Sequence, residues 1–220
     1  MKNKYIQLVT LAATTVAASI LITGCGTTSG YKQADKTGEG VAEFRQEIVN
    51  GKTAIDNTMK ALGQIEATAN TNPRKAFEQY SKSLANLESV AANARKRAAE
   101  MKERGQAYFA SWEKQMAEVK NPEIRNLAMQ QKAKLQTAFD SIKQYSEPLK
   151  AQFDPWMSDL KDLRTYLSND LTVTGVDAAK SLFAKTQAEG LAVQKSMDAL
   201  VAELNTVAAA LTPANVPAKK

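Results

Sequence analysis

Residues 77–119 read FEQYSKSLANLESVAANARKRAAEMKERGQAYFASWEKQMAEV. Apolar or small residues fall at Phe77, Tyr80, Leu84, Leu87, Ala91, Ala94, Ala98, Met101, Gly105, Tyr108, Trp112 and Val119. The steps alternate between three and four for most of this run, which is the period of one face of an α-helix. A stripe sustained that long describes a coiled-coil-like seam. At 1.5 Å per residue it predicts a helix approaching about 70 Å. Ala91, Ala94, Ala98 and Gly105 lack bulk, so a neighbouring helix is expected to approach closely there.

The same period extends on both sides. Val41, Phe44, Ile48, Ile55, Met59, Leu62 and Ile65 define a segment before Asn70-Thr71-Asn72-Pro73. Asn72 suits an N-cap, and Pro73 the first helical position, where its missing N–H costs nothing. Asn121-Pro122 repeats the device and opens a segment carrying Ile124, Leu127, Leu135, Phe139, Ile142, Leu149, Phe153, Trp156, Leu160, Leu163 and Leu167. Pro148 and Pro155 lie inside it and predict a kink or short break over 146–156. After a turn at 169–175, where Thr174 to Asp177 resembles a capping box, the stripe resumes from Val176 through Phe183, Gly190, Val193, Met197, Leu200, Leu204 and Val207 to Leu211. Ten glycines and six prolines in 220 residues agree with helix throughout. The fold class is therefore all-α: an elongated antiparallel bundle of about four long helices over 41–212, with a loose tail at 213–220.

Ahead of the bundle, Lys2 and Lys4 precede an apolar, alanine-rich run from Leu8 to Ile22, too short for a stable membrane span. Ile22-Thr23-Gly24-Cys25 then matches a lipobox. The match implies a lipoprotein signal peptide over 1–24, cleavage before Cys25, and acyl chains on that residue, palmitate among them. Two or three chains at about 0.8 kcal/mol per buried CH₂ make a lasting membrane anchor. Gly26 follows the cysteine where an inner-membrane retention signal would place aspartate, so the outer membrane, facing the periplasm, is the expected location. Gly26–Gly40 is polar and glycine-rich and reads, with Cys25, as a flexible tether of roughly 20 Å.

Loss of Lys2 and Lys4 with the leader takes the formal charge from +6 to +4. Residues 26–120 carry 15 cations and 12 acids, and 121–220 carry 12 and 11. That is a mixed, solvated surface with no nucleic-acid footprint. With no histidine in the chain, Ser-His-Asp and Cys-His arrangements and imidazole metal sites are excluded. No cofactor is expected, and no catalytic residue. Asp154, Asp159 and Asp162 form the densest acidic group, but solvated charge describes them better than a hydrolytic pair.

Arg97 and Arg104 align along the strongest basic run, 94–104, and offer a patch for anionic lipid or glycan. Trp112, Phe153 and Trp156 are the aromatic candidates for partner or ligand contact, although both tryptophans fall on the apolar period. Gly105 and Gly190 are read as close-packing positions. The terminal Lys219-Lys220 resembles, loosely, the lysine that ties a short outer-membrane lipoprotein to peptidoglycan.

Two stretches, ARKRAAEMKERGQAYFASWEKQMAEVKNPEIR (94–125) and FDPWMSDLKDLRTYLSNDLT (153–172), resemble an uncharacterised family of helical Gram-negative envelope lipoproteins, a domain of unknown function. The resemblance implies an envelope location and a long helical body, and supplies no substrate. The expected role is non-enzymatic: a lipid-anchored periplasmic spacer, scaffold or adaptor. Its partners would be the membrane, an envelope protein or peptidoglycan, or a second copy through the 77–119 stripe. The alternative is a small-molecule or lipid binding module with a site between helices near 148–156.

Overall fold

A computed structural model describes residues 30–212; residues 1–29, with the expected leader and Cys25, and the expected tail from 213 lie outside the described residues. Five helices follow in order: α1 Gly30–Ala67, α2 Pro73–Ala117, α3 Pro122–Asn169, α4 Val173–Ala178 and α5 Lys180–Leu211. No strand occurs among the described residues.

Cross-helix contacts fix the topology. Arg45 Nε donates to Asn205 Oδ1 at 2.6 Å and Gln194 Nε2 to Asp56 Oδ1 at 2.6 Å, so α1 and α5 run antiparallel. Tyr80 Oη donates to Leu160 O at 2.6 Å, and Arg95 reaches Asp154 at 2.8 Å, which sets α2 antiparallel to α3. Trp156 Nε1 donates to Thr186 O at 2.8 Å, and Ser196 to Gln152 at 2.8 Å, which does the same for α3 and α5. Each long helix thus lies between two antiparallel neighbours, in an up-down-up-down bundle. The core runs along its axis through Ile55, Leu62, Tyr80, Leu84, Trp156, Leu160, Phe183, Leu200 and Leu204, all almost fully buried. Most of the α2 stripe expected to admit a second copy is spent against α1 and α3.

Four local expectations need correction. α1 starts at Gly30, so residues 30–40 of the expected tether are helical. Their polarity hid small residues that pack: Thr37 and Gly40 are buried, and the Thr37 hydroxyl returns to Gln33 O at 2.8 Å. Pro148 and Pro155 do not break α3, which is one helix of 48 residues. Both prolines face solvent, where water can meet the carbonyls they leave unpaired. At the last turn the cap is Thr172, whose Oγ1 accepts from Gly175 N at 3.1 Å, and not Thr174. The Thr172 hydroxyl also donates to Asp170 Oδ1 at 2.6 Å and holds that carboxyl below its usual range. Finally, Asn121 caps α3 through Glu123 N and Ile124 N, whereas Asn72 makes no side-chain cap bond to α2.

Candidate functional site

Two cations of the basic stripe pair with α1 while staying partly exposed. Arg97 and Arg104 each place a guanidinium nitrogen 3.3 Å from Glu43 Oε2 on α1, and Arg97 also reaches Glu100 at 2.8 Å. The bond to Glu100, then the charges of Glu100 and Glu43, push the Arg97 pKa up. Two arginines of α2 share one carboxylate of α1, so they clamp the helix pair where a ligand patch was expected.

The core around Trp156 is filled. Trp156 is 1% exposed, its ring lies against Gly190, and its only donor is spent on Thr186 O. Phe153 packs on it at 5.8 Å between centroids, and Arg95 covers the Phe153 ring at 5.8 Å. The hollow at this height, about 270 Å³, is lined by Glu88, Arg95, Phe153, Asp154 and Lys161 among others and does not include Trp156. Nor do the acids converge: Asp154 turns to Arg95 on α2, and Asp159 to Lys185 on α5 at 2.8 Å. Among the described residues no cluster of three or more Asp, Glu, Cys or His could hold a metal ion.

Trp112 stands apart. α5 ends at Leu211, whose Cβ lies beside Gly38 of α1, whereas α1 begins at Gly30, beside Gln115 of α2. Among the described residues, eight positions at 1.5 Å each leave about 12 Å of bundle without a fourth helix. Over this stretch α2 presents Trp112 and Met116 to incomplete cover, next to the buried Tyr108. Tyr108 and Trp112 meet edge to face at 5.6 Å, and Phe109 meets Phe139 of α3 at 5.9 Å.

Two hollows flank Trp112. One, about 450 Å³, lies between α2 and α3 with Trp112, Met116, Met129 and Ala133 in its lining and Arg125 and Lys132 beside them. The other, about 310 Å³, lies between α1 and α2 with Tyr31, Ala34, Tyr108 and Trp112. Trp112 Nε1 and Gln33 Oε1 are shielded from solvent and neither has a hydrogen-bond partner among the described residues. Each such group costs about 1–3 kcal/mol.

The apolar stripe of α3 also runs on past its cover. None of residues 122–141 is fully buried, and Ile124, Leu127 and Met129 are 51%, 62% and 60% exposed. Tyr31 on α1 adds a fourth exposed apolar group at the same end, 62% exposed. Of the five residues proposed from sequence within the described range, Phe153 edges the smaller hollow at mid-bundle and Trp112 lines the two hollows at this end. Ile124 and Leu127 were legible there as stripe residues; what sequence withheld was that α5 stops short of them.

The family described as "Protein of unknown function (DUF2959)" matches residues 26–211. No curated protein and no solved structure matches the chain.

Proposed function

Since the chain belongs to the DUF2959 family, which brings no activity with it, we propose from the chain itself that it is a lipid-anchored spacer, scaffold or adaptor of the Gram-negative envelope. The leader and lipobox support attachment through Cys25 at the outer membrane, facing the periplasm. A rod built on a 45-residue helix, about 68 Å long, supports the spacing role. The observation that carries the reading is the filled core at mid-bundle, where Trp156 is buried and Arg97, Arg104 and Asp159 are engaged in ion pairs between helices. What remains along the rod is a mixed polar surface of the kind that meets partner proteins or peptidoglycan.

No helix among the described residues is long and apolar enough to cross a membrane, so the anchor is assigned to the lipid. Expression with the native leader, followed by intact mass of the membrane-fraction protein, tests this. The expected product starts at Cys25 and carries acyl mass, and Cys25→Ala leaves the protein unprocessed and unlipidated. Unmodified Cys25 in the wild type defeats the anchor. In-cell crosslinking of the lipidated protein then separates adaptor from spacer: capture of one envelope protein or of muropeptides supports the first, capture of itself alone the second.

A further inference from the structure

The uncovered end of the bundle is the end from which the chain leaves toward Cys25. Only residues 26–29 separate that cysteine from α1, a reach of at most about 18 Å over five extended steps. Four of the nine exposed large apolar residues among those described gather here: Tyr31, Ile124, Leu127 and Met129. Charge is distributed unevenly between the two ends. Residues 30–36 and 112–134 carry seven cations and four acids, whereas residues 66–75 and 162–180 at the far end carry four of each.

Building on the lipid anchor, we propose that this end of the bundle docks on an anionic phospholipid surface, with Ile124, Leu127 and Met129 entering the headgroup–acyl boundary. Arg125 lies in the lining of the apolar hollow beside Trp112, so a phosphate would meet its guanidinium while an acyl chain meets Met116, Met129 and Ala133; Lys132, in the same lining, is paired with Glu113. Arg125 spends part of its guanidinium on Val119 O at 2.8 and 3.2 Å, which fixes it at the α2–α3 turn and leaves donors over. An ester carbonyl in the hollow would give Trp112 Nε1 the acceptor it lacks.

The chain's own tail is a poorer occupant. PANVPAKK (213–220) holds one large apolar residue, Val216, against four to be covered. A bilayer presents both the apolar layer and the negative charge this end matches, and the anchor delivers the end to it.

The test uses the full chain, produced with its leader, carrying Leu127→Cys labelled with a polarity-sensitive fluorophore, in vesicles of phosphatidylglycerol and phosphatidylethanolamine. Leu182→Cys, exposed at the far end, is the control. Label found on Cys25 itself means the anchor reading has failed, independently of docking. With Cys25 acylated, the expected result is blue-shifted emission at 127, quenching by spin-labelled lipid, and protection from iodide. None of these is expected at 182, and Ile124→Asp should reduce all three. Equal iodide access at both sites overturns the proposal. Protection that grows with protein density instead of lipid contact assigns the surface to a second copy, and protection lost on deleting 213–220 assigns it to the tail; either result overturns docking on lipid.

Discussion

Gly105 and Phe139 show how one missing carbon sets a helix spacing. A Cβ built at Gly105 would fall inside contact distance of the Phe139 ring of α3, so that ring occupies the space glycine vacates. Gly105→Ala should therefore cost about 1–3 kcal/mol through overpacking, with Phe139→Leu restoring part of it, as read by denaturant unfolding. Gly38 is the opposite case: its Cβ would sit 3.9 Å from Leu211 Cβ, an ordinary contact. Gly38→Ala should add about 0.5–1 kcal/mol, the helical penalty of glycine. No gain would mean that residues 30–40 behave as the coil their composition suggests. Tyr80 makes a pH prediction. Burial pushes its phenol well above the ordinary range, partly offset by Arg164, and its hydroxyl bonds Leu160 O. The folded state holds the proton, so this contribution is complete below the unfolded phenol's value of about 10 and is lost as pH rises above it. Tyr80→Phe should lose about 1 kcal/mol at neutral pH with the hydrogen bond, yet decline less between about pH 9 and pH 11 than wild type. Denaturation midpoints across that range decide it; parallel declines would remove Tyr80 as a cause.

At the scale of elements, the helices were legible wherever a stripe and a punctuating residue coincide. Asn121-Pro122 opens α3 where expected because the asparagine accepts two amides and the proline needs none. Of the kink or short break expected at the prolines of α3, the break does not occur. A proline removes one bond and crowds one turn, but contacts to α2 and α5 flank both sites: Ser141–Glu203 and Gln152–Ser196 around Pro148, Asp154–Arg95 and Trp156–Thr186 around Pro155. Pro155→Ala should accordingly raise stability by about 1–3 kcal/mol, measured by thermal unfolding. A lower melting temperature would show that proline suits this position of α3 better than alanine. The start of α1 was hidden because Gly30–Gly40 has small and polar residues where a stripe would show bulk. Only the approach of α2 and α5 makes such residues a packing face.

For the whole molecule, the site was half visible. Trp112 could be singled out by type, and Ile124 and Leu127 by period, but their exposure depends on a mismatch in helix lengths. The 32 residues of α5 cannot span what the 45 of α2 and the 48 of α3 span. That mismatch gives the rod two unlike poles and underlies the expected docking of one of them on lipid. The up-down-up-down order has a mechanical consequence as well. A pull between an anchor before Gly30 and a partner gripping the far pole would run along the axis of α1. It would load the α1–α2 and α1–α5 seams in shear, with the Glu43–Arg97, Lys52–Asp198 and Asp56–Gln194 links strained side by side. A pull on the C-terminus, at the same pole as the anchor, would instead peel α5 away from Leu211 onward, one contact at a time. The same bundle should resist the first load at a higher force than the second, as strips bonded along their length resist sliding better than lifting.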